Sequence, residues 1–144
     1  MLKRGSTILS IWSGINFLLA ALILTIVVFF NGNSPILALV FEESEIASLS
    51  AKVIASLNAL TILYNSCSVV LSVLVWLLIR KSLIARQKWS FWALLFVIGF
   101  VEAMAFIASA EVGNARWQVN AVQSVFYVVG IGLSGYSLFK GEKQ

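Results

Sequence analysis

The sequence predicts an all-α integral membrane protein: a single domain, residues 1–144, folded as an antiparallel bundle of four transmembrane helices with both termini in the cytoplasm. Three observations indicate this fold class. Hydrophobic residues make up 60% of the chain and charged residues only 11%, which is too apolar for an ordinary soluble domain. Four apolar runs reach the roughly 20 residues that cross a hydrocarbon core of about 30 Å. Basic residues flank these runs unevenly, which indicates an orientation.

The four apolar runs are the predicted spanning helices, and they leave little of the chain outside. They cover residues 7–30, 53–79, 91–110 and 121–139. The first run follows Lys3 and Arg4, as the core of a signal peptide would, but it has about 23 residues where a signal core has roughly 7–15. We therefore expect the first run to be retained as a spanning helix.

The distribution of Lys and Arg predicts that both termini lie inside, because these residues accumulate on the cytoplasmic side. The basic residues on that side are Lys3, Arg4, Arg80, Lys81, Arg86, Lys88, Lys140 and Lys143. Only Lys52 and Arg116 fall outside. This bias favours one fixed topology in a bacterial-type inner or plasma membrane. Anionic lipid head groups explain the net charge of +4, so we expect the lipid bilayer as a partner and no nucleic acid.

Aromatic residues mark the predicted head-group levels, as they do in other membrane proteins. Those near the inner ends of the spans are Trp76, Trp89, Trp92 and Tyr136, with Trp12 somewhat deeper. The one sizeable loop, residues 31–52, opens on a strong turn signal in which Ser34 and Pro35 suit a helix start. We expect a short helix there, lying in the outer interface. The alternative is a partly ordered loop with an apolar patch.

Polar side chains recur at helical spacing and predict a polar bundle interior. On the second span they follow steps of three, four, three and four: Asn58, Thr61, Asn65, Ser68 and Ser72. These steps place all five on one face, which we expect to turn away from lipid and toward other helices. Similar faces of polar and small residues on the first and fourth spans are Ser6, Ser10, Ser13, Asn16 and Ala20, and Gln123, Tyr127, Gly130, Ser134 and Ser137.

Glu102 is the one charged residue well inside a predicted span. At a rise of about 1.5 Å per residue, Asn65, Asn16 and Tyr127 lie within about one or two turns of its depth and are its predicted neighbours. A carboxyl group at that depth costs about 2.5–3.5 kcal/mol on insertion scales and is a functional-site hypothesis by default. We expect it to carry a proton and to donate it to an Asn amide oxygen. Alternatively, a cation or a cationic ligand completes the site.

The predicted ligand- or ion-binding residues combine Glu102 with polar residues of the other spans. They are Glu102, Asn65, Asn16, Tyr127, Asn58 and Ser68. A structural role is the competing interpretation, because a hydrogen-bonded Glu can serve only to fix helix register.

The composition removes most catalytic chemistry. The chain has no histidine and one cysteine, so the commonest general base and the usual zinc ligand are missing. We expect no enzymatic activity, no cofactor and no metal site. Gly130, Gly132 and Gly135 match a dinucleotide fingerprint in letters only and are predicted to pack helices.

The predicted function is therefore the binding or transport of a small solute, a proton or a cation by the polar interior. Two alternatives stay open. The chain is an accessory or assembly subunit that docks a larger membrane protein, or a further copy of itself, through small residues such as Gly130 and Ser134. Otherwise it recognises a lipid or another amphiphile between its helices.

Overall fold

The computed structural model describes residues 1–30, 32–35, 37–111 and 117–140, and the regular structure in these ranges is entirely helical. Four helices are long and apolar enough to cross a membrane, which confirms the prediction of an all-α protein with four candidate spans. Two short helices lie between the first and the second of them. In chain order the helices are α1 (Leu2–Leu24), α2 (Leu37–Val40), α3 (Glu43–Ser48), α4 (Ala51–Leu78), α5 (Lys88–Glu111) and α6 (Trp117–Lys140).

The spanning helices are lengthened at their ends relative to the apolar runs. α1 continues through a π-helical turn at Thr25–Phe29 and α4 through another at Ile79–Leu83, giving spans of 28 and 33 residues. α5 and α6 each have 24 residues, about 36 Å at 1.5 Å per residue. Each spanning helix begins a few residues before its apolar run, at Leu2, Ala51, Lys88 and Trp117.

The chain forms two compact units, and each is described by itself. The first unit combines Met1–Ile15 with the chain from Val73 onward, and the second unit is Asn16–Ser72. The first unit thus contains the start of α1, the end of α4, and all of α5 and α6. Its most deeply buried apolar side chains are Leu9, Ile79, Leu83, Leu94 and Ile98.

In the first unit, α1 crosses α6 at a pair of glycines. A Cβ atom on Gly5 would lie 2.8 Å from the carbonyl oxygen of Gly130 and would collide with Ser134 Oγ. A Cβ atom on Gly130 would lie 2.7 Å from Leu9 Cγ. Since helices in lipid associate through close van der Waals packing, the missing side chains let these two backbones approach. Gly130 therefore packs helices, as the sequence predicts, and its partner is Gly5, while nothing in the described part of the structure lies within 4 Å of the Cβ position of Gly132.

The small-residue face of α6 is covered by its own chain. Gly130 and Ser134 are buried, and Ser134 Oγ faces the Cα of Gly5. On the same helix, a Cβ atom on Gly135 would lie 2.8 Å from Phe91 Cε2 of α5. Gly130 and Ser134 thus contact α1.

We predict that Gly5→Ala destabilises the protein, because its methyl group has no space against α6. Overpacking of this kind costs about 1–3 kcal/mol in the free energy of unfolding. Gly14→Ala is the matched control on the same helix, since nothing lies within 4 Å of the Cβ position of Gly14. Unfolding in detergent measures both variants. Equal stability of the two would contradict the close crossing.

The link from α4 to α5 ends in a turn held by backbone hydrogen bonds. Gln87 N–H donates to the Ser82 carbonyl at 3.0 Å, and Arg86 N–H donates to the Leu83 carbonyl at 3.0 Å. This pair of bonds is a Schellman motif, in which the residue after the helix adopts the left-handed conformation. Arg86 occupies that position with a φ of 60°. A residue with a Cβ atom is strained there.

We predict that Arg86→Gly is more stable than Arg86→Ala by about 1 kcal/mol, because glycine adopts positive φ without strain. Both variants remove the same charge, so the difference in their unfolding midpoints reports the backbone alone. A more stable alanine variant would show that the left-handed turn is absent.

In the second unit, two residues of the predicted polar face of α4 hold the start of the loop. Ser34 N–H donates to Asn58 Oδ1 at 2.9 Å, and Thr61 Oγ1 donates to Ser34 Oγ at 2.9 Å. Ser34 is buried as a result. Thr61, Asn65 and the last residue of the face, Ser72, are also buried, as the spacing predicts. Part of this face thus anchors the loop to α4.

The loop contains two short helices where the sequence predicts one. The chain between α2 and α3 is extended at Glu42, whose φ is −72° and ψ is 157°. Glu42 N–H donates to Glu45 Oε2 at 2.8 Å and so begins a second helix. The predicted apolar stretch begins at Ile36, which lies outside the described residues, as do Asn31, Arg116 and Lys143. The position of these helices in the outer interface stays a prediction.

Candidate functional site

Glu102 lies in the first unit, with its carboxyl group enclosed by α1, α5 and α6. The residue is only 6% exposed. Trp12 Nε1 of α1 donates to Glu102 Oε1 at 2.8 Å, and Ser124 Oγ of α6 forms a hydrogen bond with Glu102 Oε2 at 2.5 Å. Each oxygen of the carboxyl group therefore has its own partner, and the partners come from two different helices.

The packing of α1 brings the Trp12 indole to this site. Gly5, Leu9 and Trp12 follow steps of four and three on one face of α1, and all three are buried. Gly5 and Leu9 contact Gly130 on α6, so that Trp12 comes about one turn further along the same contact. The indole is 3% exposed, and burial of its N–H requires an acceptor, which Glu102 supplies.

The pairing of α5 with α6 depends on polar side chains that α6 directs at α5. Asn120 Nδ2 donates to the Ala105 carbonyl at 3.0 Å, and Tyr127 Oη donates to the Leu95 carbonyl at 2.8 Å. Ser124 lies between them, one turn from each, and meets Glu102. The acceptors run backwards along α5 as the donors run forwards along α6, so the two helices are antiparallel neighbours.

Gly99 gives the Tyr127 hydroxyl access to the backbone of α5. A Cβ atom on Gly99 would lie 2.7 Å from Tyr127 Oη. The phenol therefore crosses the α5 backbone at the position without a side chain and reaches the carbonyl of Leu95, one turn earlier. Tyr127 and Glu102 belong to the same unit, as the sequence predicts for neighbours, but the hydroxyl bonds to a backbone carbonyl.

The remaining predicted site residues belong to the second unit. Asn65 Nδ2 donates to the Thr61 carbonyl at 2.8 Å and Ser68 Oγ to the Tyr64 carbonyl at 3.0 Å, both within α4. The Asn58 amide oxygen accepts the Ser34 N–H, as described above. Asn16 is half-buried on α1. The meeting of Asn16 and Asn65 with Glu102 stays a prediction.

Sequence reasoning missed the two partners that the structure gives to Glu102. The sequence groups Trp12 with the interfacial aromatic residues, somewhat deeper than the others, and does not connect it with Glu102, whereas in the structure it is buried against Glu102. Ser124 was missed because the predicted face of α6 began at Gln123. The steps Asn120, Ser124 and Tyr127 carry the signal that identifies the true face.

The site has the character of a buried acceptor surrounded by neutral donors. The described contacts of the carboxyl group come from an indole and a hydroxyl, and neither carries a charge. Among the described residues, no three His, Cys, Asp or Glu side chains come together as metal ligands would. The arrangement can hold a carboxylate through two hydrogen bonds.

Comparisons of the chain with protein-family models, with curated proteins and with solved structures find no match.

We predict that Gly99 and Tyr127 are energetically coupled. Gly99→Ala should displace the phenol and lower the free energy of unfolding by about 1–3 kcal/mol, through crowding and the loss of a buried hydrogen bond. In a Tyr127→Phe background the same alanine should have a smaller effect, because the atom it displaces is gone. A double-mutant cycle from thermal unfolding measures this coupling. Additive effects of the two substitutions would contradict the contact.

Proposed function

We propose that this chain is a non-enzymatic multi-pass membrane protein that binds or transports a proton, a cation or a small solute at Glu102. The observation that carries the proposal is the burial of one carboxyl group, held on both oxygens by Trp12 and Ser124. Such a group is expensive within a membrane span, and intramembrane ionisable residues mark ion and proton pathways.

The proposal includes an orientation with both termini in the cytoplasm of a bacterial-type inner or plasma membrane. The exposed basic residues at the ends of the spanning helices support it: Lys3, Arg4, Arg80, Lys81 and Lys140. In this orientation the loop with α2 and α3 faces outward, with its acidic residues at the outer surface. Anionic lipids are then the natural partners of the inner surface.

A binding role is better supported than catalysis. Ser124 and Glu102 form a hydroxyl–carboxyl pair, which an enzyme could use, but the chain contains no histidine to act between such groups. The pair is also enclosed by packed helices, where a soluble substrate has no described route to it. The exchange of a proton or a small ion requires less space.

We predict that Glu102→Gln abolishes transport while the protein stays folded. An amide keeps an oxygen for the Trp12 N–H and an NH2 group for the Ser124 hydroxyl, but it has no charge and does not titrate. In liposomes, the flux of protons or monovalent cations through the variant should fall to the level of protein-free vesicles. Glu111→Gln is the matched control, because Glu111 is exposed at the last residue of α5.

Stability measurements separate this role from helix packing. Glu102→Ala leaves the indole and the hydroxyl without their partner, at a cost of about 1–3 kcal/mol for each unsatisfied group. Glu102→Gln should lose much less stability than Glu102→Ala. If Glu102→Gln carries the same flux as the unsubstituted protein, the proposed function is wrong.

A further inference from the structure

We infer that the occupant of this site is a proton and not a metal cation, and that Glu102 carries it on Oε2, facing Ser124. The inference rests on the proposed function and specifies its ligand. It follows from the donor and acceptor capacities of the two partners of the carboxyl group.

Oε1 is reserved as an acceptor. The indole N–H of Trp12 donates a hydrogen bond and has no lone pair with which to accept one. Trp12 is held in place, since its side chain is 3% exposed and it follows Leu9 on the face that packs against α6. A proton on Oε1 would make this oxygen a hydroxyl oxygen, which is a weaker acceptor for the Trp12 N–H than a carbonyl oxygen. Oε1 is therefore the carbonyl oxygen of the protonated acid.

Oε2 has a partner that works in both protonation states. The Ser124 hydroxyl donates to a carboxylate oxygen, and it can also accept a proton from a carboxylic acid. The 2.5 Å between Ser124 Oγ and Glu102 Oε2 lies in the range of about 2.5–2.7 Å for hydrogen bonds from hydroxyl groups to carboxylates. When a hydronium ion transfers a proton to Oε2 and is left as water, the hydrogen of the Ser124 hydroxyl turns away. It then has the backbone carbonyl one turn earlier in α6 as an acceptor.

A metal cation would compete with the hydrogen-bond donors that the structure places at both oxygens of Glu102. Calcium takes about six to eight oxygen ligands and magnesium requires an octahedral set. Among the described residues, no three His, Cys, Asp or Glu side chains lie together to supply such a set. The Trp12 N–H points at Oε1 and repels a cation placed there.

Tyr127 is the other titratable side chain that α6 directs toward this region, and its hydroxyl is bonded to Leu95. On α4, Tyr64 and Cys67 are exposed. The charged residues of the described spanning helices lie toward the ends of the helices: Lys3, Arg4, Lys52, Arg80, Lys81, Lys88, Glu111 and Lys140. A pH response of Trp12 that is lost in Glu102→Gln therefore reports Glu102.

Fluorine NMR of the protein labelled with 5-fluorotryptophan tests the choice of ligand. The chain has five tryptophans, and the Trp12 resonance is assigned by its loss in Trp12→Phe. We expect the Trp12 resonance to shift with pH in the unsubstituted protein and not in Glu102→Gln. We also expect the titration curves in sodium, potassium and choline chloride at equal ionic strength to superimpose. A curve displaced by sodium or potassium would overturn the inference and leave the proposed function intact.

Infrared spectroscopy of the acid form tests which oxygen carries the proton. A hydrogen bond donated to a carbonyl oxygen lowers its stretching frequency, so Trp12→Phe should move the C=O band of Glu102 to a higher wavenumber. Ser124→Ala should move it less, because Ser124 then contacts the hydroxyl oxygen. Trp92→Phe, at an exposed tryptophan of α5, should leave the band unchanged. The reverse order for Trp12→Phe and Ser124→Ala would place the proton on Oε1.

Failure of the proposed function and failure of the proton assignment give different results. Without any pH response of Trp12, and with flux that is insensitive to Glu102→Gln, the site is structural and the proposed function is wrong. A pH response together with dependence on a metal cation refutes only the choice of the proton.

Discussion

The hydrogen bond between the Trp12 indole and Glu102 connects α1 to α5 at the centre of the first unit, and the surrounding contacts make it possible. A carboxyl group among apolar helices is tolerated only when its oxygens have donors. Trp12 supplies one of these donors and Ser124 the other. The indole can reach so deep only because Gly5 and Gly130 let α1 approach α6 closely. Backbone packing and side-chain chemistry therefore depend on each other at this point.

Backbone packing and side-chain hydrogen bonding also depend on each other between α5 and α6. In lipid there is no hydrophobic driving force between helices, so close packing and hydrogen bonds hold them together. Tyr127 combines both, because its hydroxyl reaches the Leu95 carbonyl across the surface that Gly99 leaves open. Asn120 adds a second bond to the backbone of α5, about two turns away along α6. These contacts join the two helices in addition to the bond between Ser124 and Glu102.

The sequence was sufficient for the number of candidate spanning helices and for the burial of Thr61, Asn65 and Ser72, because hydropathy and helical spacing are properties of one helix at a time. It was not sufficient for the partners of Glu102. Depth counted along each helix does not specify how the helix is rotated about its axis, and a shift from Gln123 to Ser124 changes the face. Trp12 was assigned from the average preference of tryptophan for the interface. Its position in the structure depends on the crossing of Gly5 and Gly130, and a single sequence does not show that these two glycines meet.

The packing contacts that do not involve Glu102 raise the question of why a carboxyl group is present. Two polar side chains and a glycine crossing already hold α1, α5 and α6 together, and each of these devices uses neutral groups. A glutamine at position 102 would offer the Trp12 N–H an oxygen and the Ser124 hydroxyl an amide, without the insertion cost of about 2.5–3.5 kcal/mol that charged residues carry. What glutamine does not supply is a second protonation state. The geometry around Glu102 suits both states, since Trp12 can only donate and Ser124 can donate or accept, and this property is the basis of the proposed proton-binding role.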